Sequence, residues 1–305
     1  MIYGHILGGL GNQLFIYAFY RRLMIETSQK VILYYDSEDG RKLQMNNYNT
    51  EPGISFIESK FLFDRPKDAR YYMYVFFRKL MEHTEYESIC QFIINCSCRV
   101  GCIALLDTAL DVDYRILKKN KTIYAMAYAQ AFKYSAPIKK QLQSELLYKP
   151  KLDEKNRALA ETCRSQESVC VHIRRGDYLH LKHRDLYFIC NDEYYRKAID
   201  KILSEVNDPV FYIFSDDIEW VKHNMVYISN LLPVYINNGG ESAVCIDMEI
   251  MRSCKHFIMS NSSLSWWAQF LSENQNKVVV APSRWLNDNK EHRELYNDNW
   301  HLINI

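Results

Sequence analysis

The chain has 305 residues, enough for two domains of ordinary size, and its 48% hydrophobic and 25% charged content is that of a soluble globular protein. With 38 basic and 37 acidic residues the net charge is +1, too small a basic excess to neutralise a phosphate backbone, so no nucleic-acid partner is expected. No apolar run is long enough to cross a bilayer, and the opening Met1-Ile2-Tyr3-Gly4-His5-Ile6-Leu7 lacks the charged region and cleavage site of a secretion signal, so a cytoplasmic location is expected.

The first elements are an apolar strand at 2–7, the turn Gly8-Gly9-Leu10-Gly11-Asn12-Gln13, a helix to Thr27 and a second strand at 30–35. Between 40 and 130 the pattern loosens into aromatic, loop-rich sequence. Within it, Arg65 to Lys79, with Tyr71, Tyr72, Tyr74, Phe76 and Phe77, reads as a core-facing helix whose cations point to water; the same basic aromatic composition suits a membrane surface. A hinge and helix at 150–167 join the halves. Apolar runs then appear at 168–173, 210–215, 225–229, 256–260 and 277–281, separated by helical patterns at 192–206, 217–224, 242–254 and 263–273. Short apolar strands alternating with amphipathic helices imply a parallel sheet covered on both faces. The expected fold class is α/β, with two domains, 1–150 and 151–305, facing across a cleft.

Nine cysteines, an odd number in apolar surroundings, fit reduced buried thiols better than a disulfide framework. Cys90, Cys96, Cys98 and Cys102 cluster, but without paired Cys-x-x-Cys knuckles they read as a core segment. Asp111-Val112-Asp113 has the spacing of a metal-binding pair without supporting context. No metal site is expected.

Where the strand at 168–173 ends, the chain reads Val171-His172-Ile173-Arg174-Arg175-Gly176-Asp177-Tyr178. Two adjacent guanidiniums present rigid forks of N–H donors suited to phosphate oxygens, and in open α/β sheets ligands bind beyond the carboxyl ends of the strands. The loop is a candidate diphosphate holder; the alternative is a surface salt bridge of Arg174 or Arg175 with Asp177. Ser215-Asp216-Asp217 follows the strand at 210–215, offering either a carboxylate for the paired donors of guanine or a cap for the next helix. Ser260-Asn261-Ser262-Ser263 leads into a helix carrying Trp266 and Trp267; such a helix start is an anion site, and the tryptophans pack the helix onto the sheet. The N-terminal glycine turn meets only the first two positions of the dinucleotide fingerprint, with Leu14 at the third. It reads as a tight turn bringing Asn12 and Gln13 to hydroxyls or phosphate, or as a helix capped by Asn12.

Together these segments resemble glycosyltransferase family 11, the α-1,2-fucosyltransferases that use GDP-fucose. The likeness is carried, in the family's order, by Gly8-Gly9-Leu10-Gly11-Asn12-Gln13-Leu14-Phe15, the loop from His172 to Tyr178, Phe214-Ser215-Asp216-Asp217 with Trp220, Ser260-Asn261-Ser262-Ser263 with Ser265-Trp266-Trp267, and Ala281-Pro282-Ser283-Arg284-Trp285. The resemblance implies a GT-B-like fold of two Rossmann-like domains. Residues 1–150 would face the acceptor and 151–305 would hold GDP-fucose, a last helix packing back on the first domain. It implies inversion at the fucose anomeric carbon, with no cofactor and no obligatory metal. Arg174 would contact the β-phosphate and stabilise departing GDP, with Arg175 beside it; Gly11, Asn12 and His172 would lie at the fucose or phosphate; Ser215 and Asp216 would meet the nucleotide, Asp216 at guanine. Asn261, Ser262 and Ser263 would hold phosphate, and Asp177 would be either the general base or a scaffold for the arginines. The implied partners are GDP-fucose and a galactose-terminated oligosaccharide acceptor, in a bacterial protein that is cytoplasmic and open to peripheral contact with the inner face of the membrane.

Overall fold

The computed structural model describes residues 1–36, 42–59, 69–84, 86–105, 110–179, 186–239, 243–288 and 292–304, with the side chain of Asp177 outside the described set. The chain divides into two units, Met1–Leu147 and Tyr148–Ile305.

In the first unit, β1 (Ile2–His5) leads into α1 (Leu10–Thr27), β2 (Val31–Tyr35) and β3 (Ile54–Glu58), then α2 (Ala69–Glu82), α3 (Glu87–Arg99), β4 (Cys102–Leu105), α4 (Tyr114–Leu117), β5 (Ile123–Ala127), α5 (Phe132–Ser135) and α6 (Lys139–Glu145). The strands form a parallel sheet in the order β3-β2-β1-β5-β4. Parallel strands covered on both faces must be apolar throughout. One face is covered by α2, whose Tyr74 packs with Tyr3, Tyr34, Cys102, Ala104 and Tyr124. α1 covers the other face. It crosses so close to β1 that a Cβ on Gly4 would lie 2.0 Å from the Tyr20 hydroxyl, which donates to the Ala125 carbonyl at 2.6 Å. α1 ends where Ser28 turns left-handed (φ 58) and its N–H bonds the Met24 carbonyl. Among its described residues the stretch between 40 and 130, expected to be loop-rich, thus contains three strands and two long helices; its mixed aromatic and charged composition hides them because each is amphipathic or short.

The second unit runs α7 (Glu154–Ser165), β6 (Ser168–Ile173), α8 (Asp192–Glu205), β7 (Val210–Ser215), α9 (Ile218–Asn224), α10 (Val226–Ser229), β8 (Val234–Ile236), α11 (Ala243–Ser253), β9 (His256–Ile258), α12 (Ser263–Leu271), β10 (Val279–Pro282) and β11 (His301–Ile303). Its sheet is parallel in the order β11-β10-β9-β6-β7-β8. Every residue of β6 is buried, as the continuously apolar central strand requires. α8 is capped by Asn191, carries Asp192 and Glu193 in its first turn, and buries Tyr194, Tyr195, Ala198, Ile199 and Ile202. Two expectations are corrected. The run at 225–229 is no strand: Met225 and Ile228, three apart, enter the core from a helical turn, and the strand is β8, an edge whose Val234 is exposed and whose apolar signal is weak. Among the described residues the last element is a strand and not a helix: β11, paired with β10.

Each half of the expected GT-B-like α/β class is therefore a Rossmann-like unit. Trp266 anchors α12: it is fully buried, stacks on Phe270 at 4.9 Å and donates from Nε1 to the Leu295 carbonyl at 2.6 Å. Trp266→Ala is expected to destabilise the unit by about 3–5 kcal/mol, read as a lowered urea midpoint of the far-ultraviolet signal.

Candidate active site

In the second unit the chain moves from β6 outward through β7 and β8, then returns to place β9 on the other side of β6. That reversal is a topological switch point, where loops leaving the carboxyl ends of neighbouring strands part and leave room for a ligand. The loops after β7, β6 and β9 are the ones that carry Ser215–Asp217, Arg174–Tyr178 and Ser260–Ser263.

Asp216 organises the arginine loop. Its Oδ2 lies 3.0 Å from Arg174 Nη1, and its Oδ1 accepts the Arg175 backbone N–H at 2.9 Å. The carboxylate packs so closely that a Cβ on Gly176 would meet Oδ2 at 2.4 Å; the glycine is needed for this approach. Both oxygens of Asp216 thus hold the arginine loop. The cap of α9 is the neighbouring Asp217, which accepts the Trp220 N–H at 3.2 Å, and Ser215 Oγ accepts the Asp217 N–H at 3.0 Å. The Arg175 guanidinium lies over the Trp220 ring, 3.2 Å from its centroid, a cation–π arrangement that fixes its plane. The side chain of Asp177 lies outside the described residues, so the surface pair proposed for it with the arginines has no described geometry.

On the other side, the β6 loop is tied to the β9 loop. His172 Nδ1 and Ser260 Oγ are 2.9 Å apart, and the Tyr178 hydroxyl donates to the Asn261 carbonyl at 2.9 Å. His172 is only 3% exposed. Burial first, and the nearby Arg174 charge second, push its pKa down to about 3, so the ring is neutral and acts as a hydrogen-bonding strut. Asn261 is buried as well: its amide donates to the carbonyls of Phe188 (2.6 Å) and Trp285 (2.8 Å). Its side chain binds neighbouring loops together. Ser262 caps α12, accepting the Leu264 N–H at 3.3 Å, and Ser263 opens the helix.

Gly11 and Asn12 sit in the first turn of α1, in the other unit. The cap position is Gly9 with no side-chain bond, so Asn12 is not the cap. Its Oδ1 accepts from Gln130 Nε2 at 3.0 Å, joining the loops after β1 and β5, the switch point of that sheet. Gln13 is buried and bonds the backbone of Gly8, Lys42 and Gln44; it fastens loops.

One carboxylate went unmarked in the sequence. Asp247, on α11, accepts from Asn238 Nδ2 at 2.7 Å, and Asn238 lies just past the end of β8, on the same edge as Asp216. Burial pushes its carboxyl up to about 6 against the Asn238 hydrogen bond. The spacing of Asp247 between Cys245 and Met248 reads as an ordinary amphipathic face, so only the Asn238 contact marks it. As for metals, Asp113 caps α4 and Asp111 pairs with Lys133, and among the described residues no three His, Cys, Asp or Glu side chains gather as ligands.

The model of the family described as glycosyl transferase family 11 matches residues 107–304. The chain belongs to glycosyltransferase family 11. Among its relatives, the O-antigen biosynthesis glycosyltransferase WbnK of Escherichia coli is 34% identical over 45% of this chain and 45% of that protein. An α-1,2-colitosyltransferase of Escherichia coli is 34% identical over 42% of this chain and 44% of that protein. Galactoside α-(1,2)-fucosyltransferase 1 of Saimiri boliviensis boliviensis is 28% identical over 44% and 39%. The matched stretch is less than half the length of each of these relatives. A mutant of Arabidopsis thaliana FUT1, solved in complex with GDP, shares the fold at a TM-score of 0.50 and 12% identity, covering 91% of this chain and 69% of that one. Family 11 membership and the parallel two-unit α/β fold agree with what the motifs imply.

Proposed function

We propose that this family 11 protein transfers L-fucose from GDP-fucose to the 2-hydroxyl of a terminal β-galactoside, with inversion at the anomeric carbon and without an obligatory metal, in the synthesis of a surface glycan. The observation that carries the reading is the Asp216-held Arg174, placed at the β6/β9 switch point beside the capped start of α12. Fucose departs through an oxocarbenium-like state while negative charge grows on GDP, as in glycoside cleavage. A guanidinium fixed in advance stabilises that growing charge more than the ground state, which is what lowers the barrier. Backbone donors and the dipole at the start of α12, with Ser262 and Ser263, suit the diphosphate.

Guanine offers N1–H and its 2-amino group side by side, a match for an ionised carboxylate. With Asp216 engaged by the arginine loop, Asp247 is the carboxylate that takes this role. Asp177 is the proposed base for the acceptor hydroxyl, since the scaffold role considered for it is filled by Asp216.

The test is a mass-spectrometric assay with EDTA present, GDP-fucose as donor and lactose among galactose-terminated acceptors. The expected product is one deoxyhexose heavier, linked at the galactose 2-hydroxyl. GDP-colitose is run beside it, because colitose is fucose without its 3-hydroxyl and a relative is named for that transfer. Product from GDP-colitose alone replaces fucose as the donor sugar; a product lost on chelation overturns metal independence.

A further inference from the structure

The α2–α3 pair carries a second surface that the proposed transfer does not use. The inner side of α2 is satisfied, with Tyr74 and Met81 buried. Its outer side is not polar: Tyr72 is 60% and Phe76 61% exposed, and Leu80 stands out beside them. Steps of four residues put these three on one stripe of the helix. α3, packed beside α2, adds Ile89 and Phe92, the latter 68% exposed, with Tyr86 at its start. Six large apolar side chains on one adjacent helix pair exceed the scattered singles normal for a surface.

The charges on this face select its occupant. Lys79 is exposed and flanks the stripe, three residues after Phe76 and seven after Tyr72, and Arg70 lies in the first turn of the same helix. The acidic Glu82 is neutralised within the helix by Arg78, Nε to Oε1 at 2.8 Å. Aromatic rings interleaved with cations are the composition of a helix lying at a lipid interface, where rings enter the headgroup boundary and lysine stems reach back to phosphate. A second copy of the chain would instead have to bury Lys79, a residue type depleted from protein interfaces.

We infer that the exposed face of α2 and α3 is a docking surface for an anionic lipid bilayer, with Phe76 and Phe92 entering the interface and Lys79 meeting acidic headgroups. The full chain is sedimented with vesicles of phosphatidylcholine alone and of equal parts phosphatidylcholine and phosphatidylglycerol. Binding to the anionic vesicles is expected, weakened by salt. Phe76→Ser and Phe92→Ser should each lower the partition constant about tenfold, and Lys79→Glu should lower it about fivefold or more on anionic vesicles only. Thermal midpoints and GDP-fucose binding of the variants, measured in parallel without lipid, should match those of the parent. No binding to anionic vesicles overturns the inference, as does equal binding by the phenylalanine variants. A dimer in solution that both phenylalanine substitutions dissociate assigns the face to a second copy and overturns it too.

Discussion

Arg174→Ala is expected to lower turnover by ~100-fold or more, the loss that follows removal of one fixed donor from a developing oxyanion, while the protein stays folded. The effect should fall mainly on kcat, because the guanidinium meets more charge in the transition state than in bound GDP-fucose. Asp216→Ala tests the geometry behind it. It removes the partner of Arg174 Nη1 and the acceptor of the Arg175 N–H without touching a proposed donor, so turnover should fall by ~10-fold or more through loss of preorganisation. Because both residues act through one guanidinium, the double substitution should be little worse than Arg174→Ala alone. Single-turnover rates with a saturating acceptor measure all three. Near-normal turnover in a folded Arg174→Ala protein removes the arginine from the mechanism; full additivity of the pair would mean that Asp216 acts elsewhere.

The arginine loop was legible because a buried strand rarely ends in a histidine, two arginines and an aspartate. Its clamp was not. Asp216 lies 41 positions beyond Arg175, and only the parallel pairing of β6 with β7, Ile173 opposite Ser215, brings the two loops together. Sequence adjacency leaves Asp177 open as base or scaffold, and the carboxylate that the fold brings to Arg174 and to the Arg175 N–H is Asp216. Asn261 shows the same nonlocality: an amide before a helix start reads as a ligand donor, and its two side-chain N–H bonds run inward to Phe188 and Trp285. A side chain's direction at a strand end depends on which loops cross above it, and that information is nonlocal. The strands of the second unit were readable because β6, β9 and β10 are buried along their whole length. Edge strand β8 has no such run, and the α2 stripe was hidden because a basic aromatic helix has the same composition whether its rings face the core or the solvent.

The affinity for GDP-fucose is expected to rise as pH climbs through about 6 and then level off. Burial holds the Asp247 carboxyl protonated up to about 6 in the free protein, against 3.8 for the ordinary group. Both phosphates of GDP-fucose are esterified and stay singly ionised through this range, so the titration belongs to the protein. Guanine presents two donors, and only the ionised carboxylate accepts both. Below the folded pKa, binding must expel a proton, and affinity should drop by up to about tenfold per pH unit. The stability linkage has the opposite sign. The folded state keeps this proton where the unfolded chain has released it, so the contribution of Asp247 favours folding below about 4 and is lost as pH rises to about 6. The site therefore gives up some stability at neutral pH to hold a charge that guanine then satisfies. Asp247→Asn should abolish the pH dependence and weaken binding by roughly 10- to 100-fold at pH above 7, from the loss of charge-assisted bonds. Calorimetric titration across the range decides it: an affinity flat in pH, or an Asp247→Asn protein that binds as the parent does, places the guanine elsewhere along the edge.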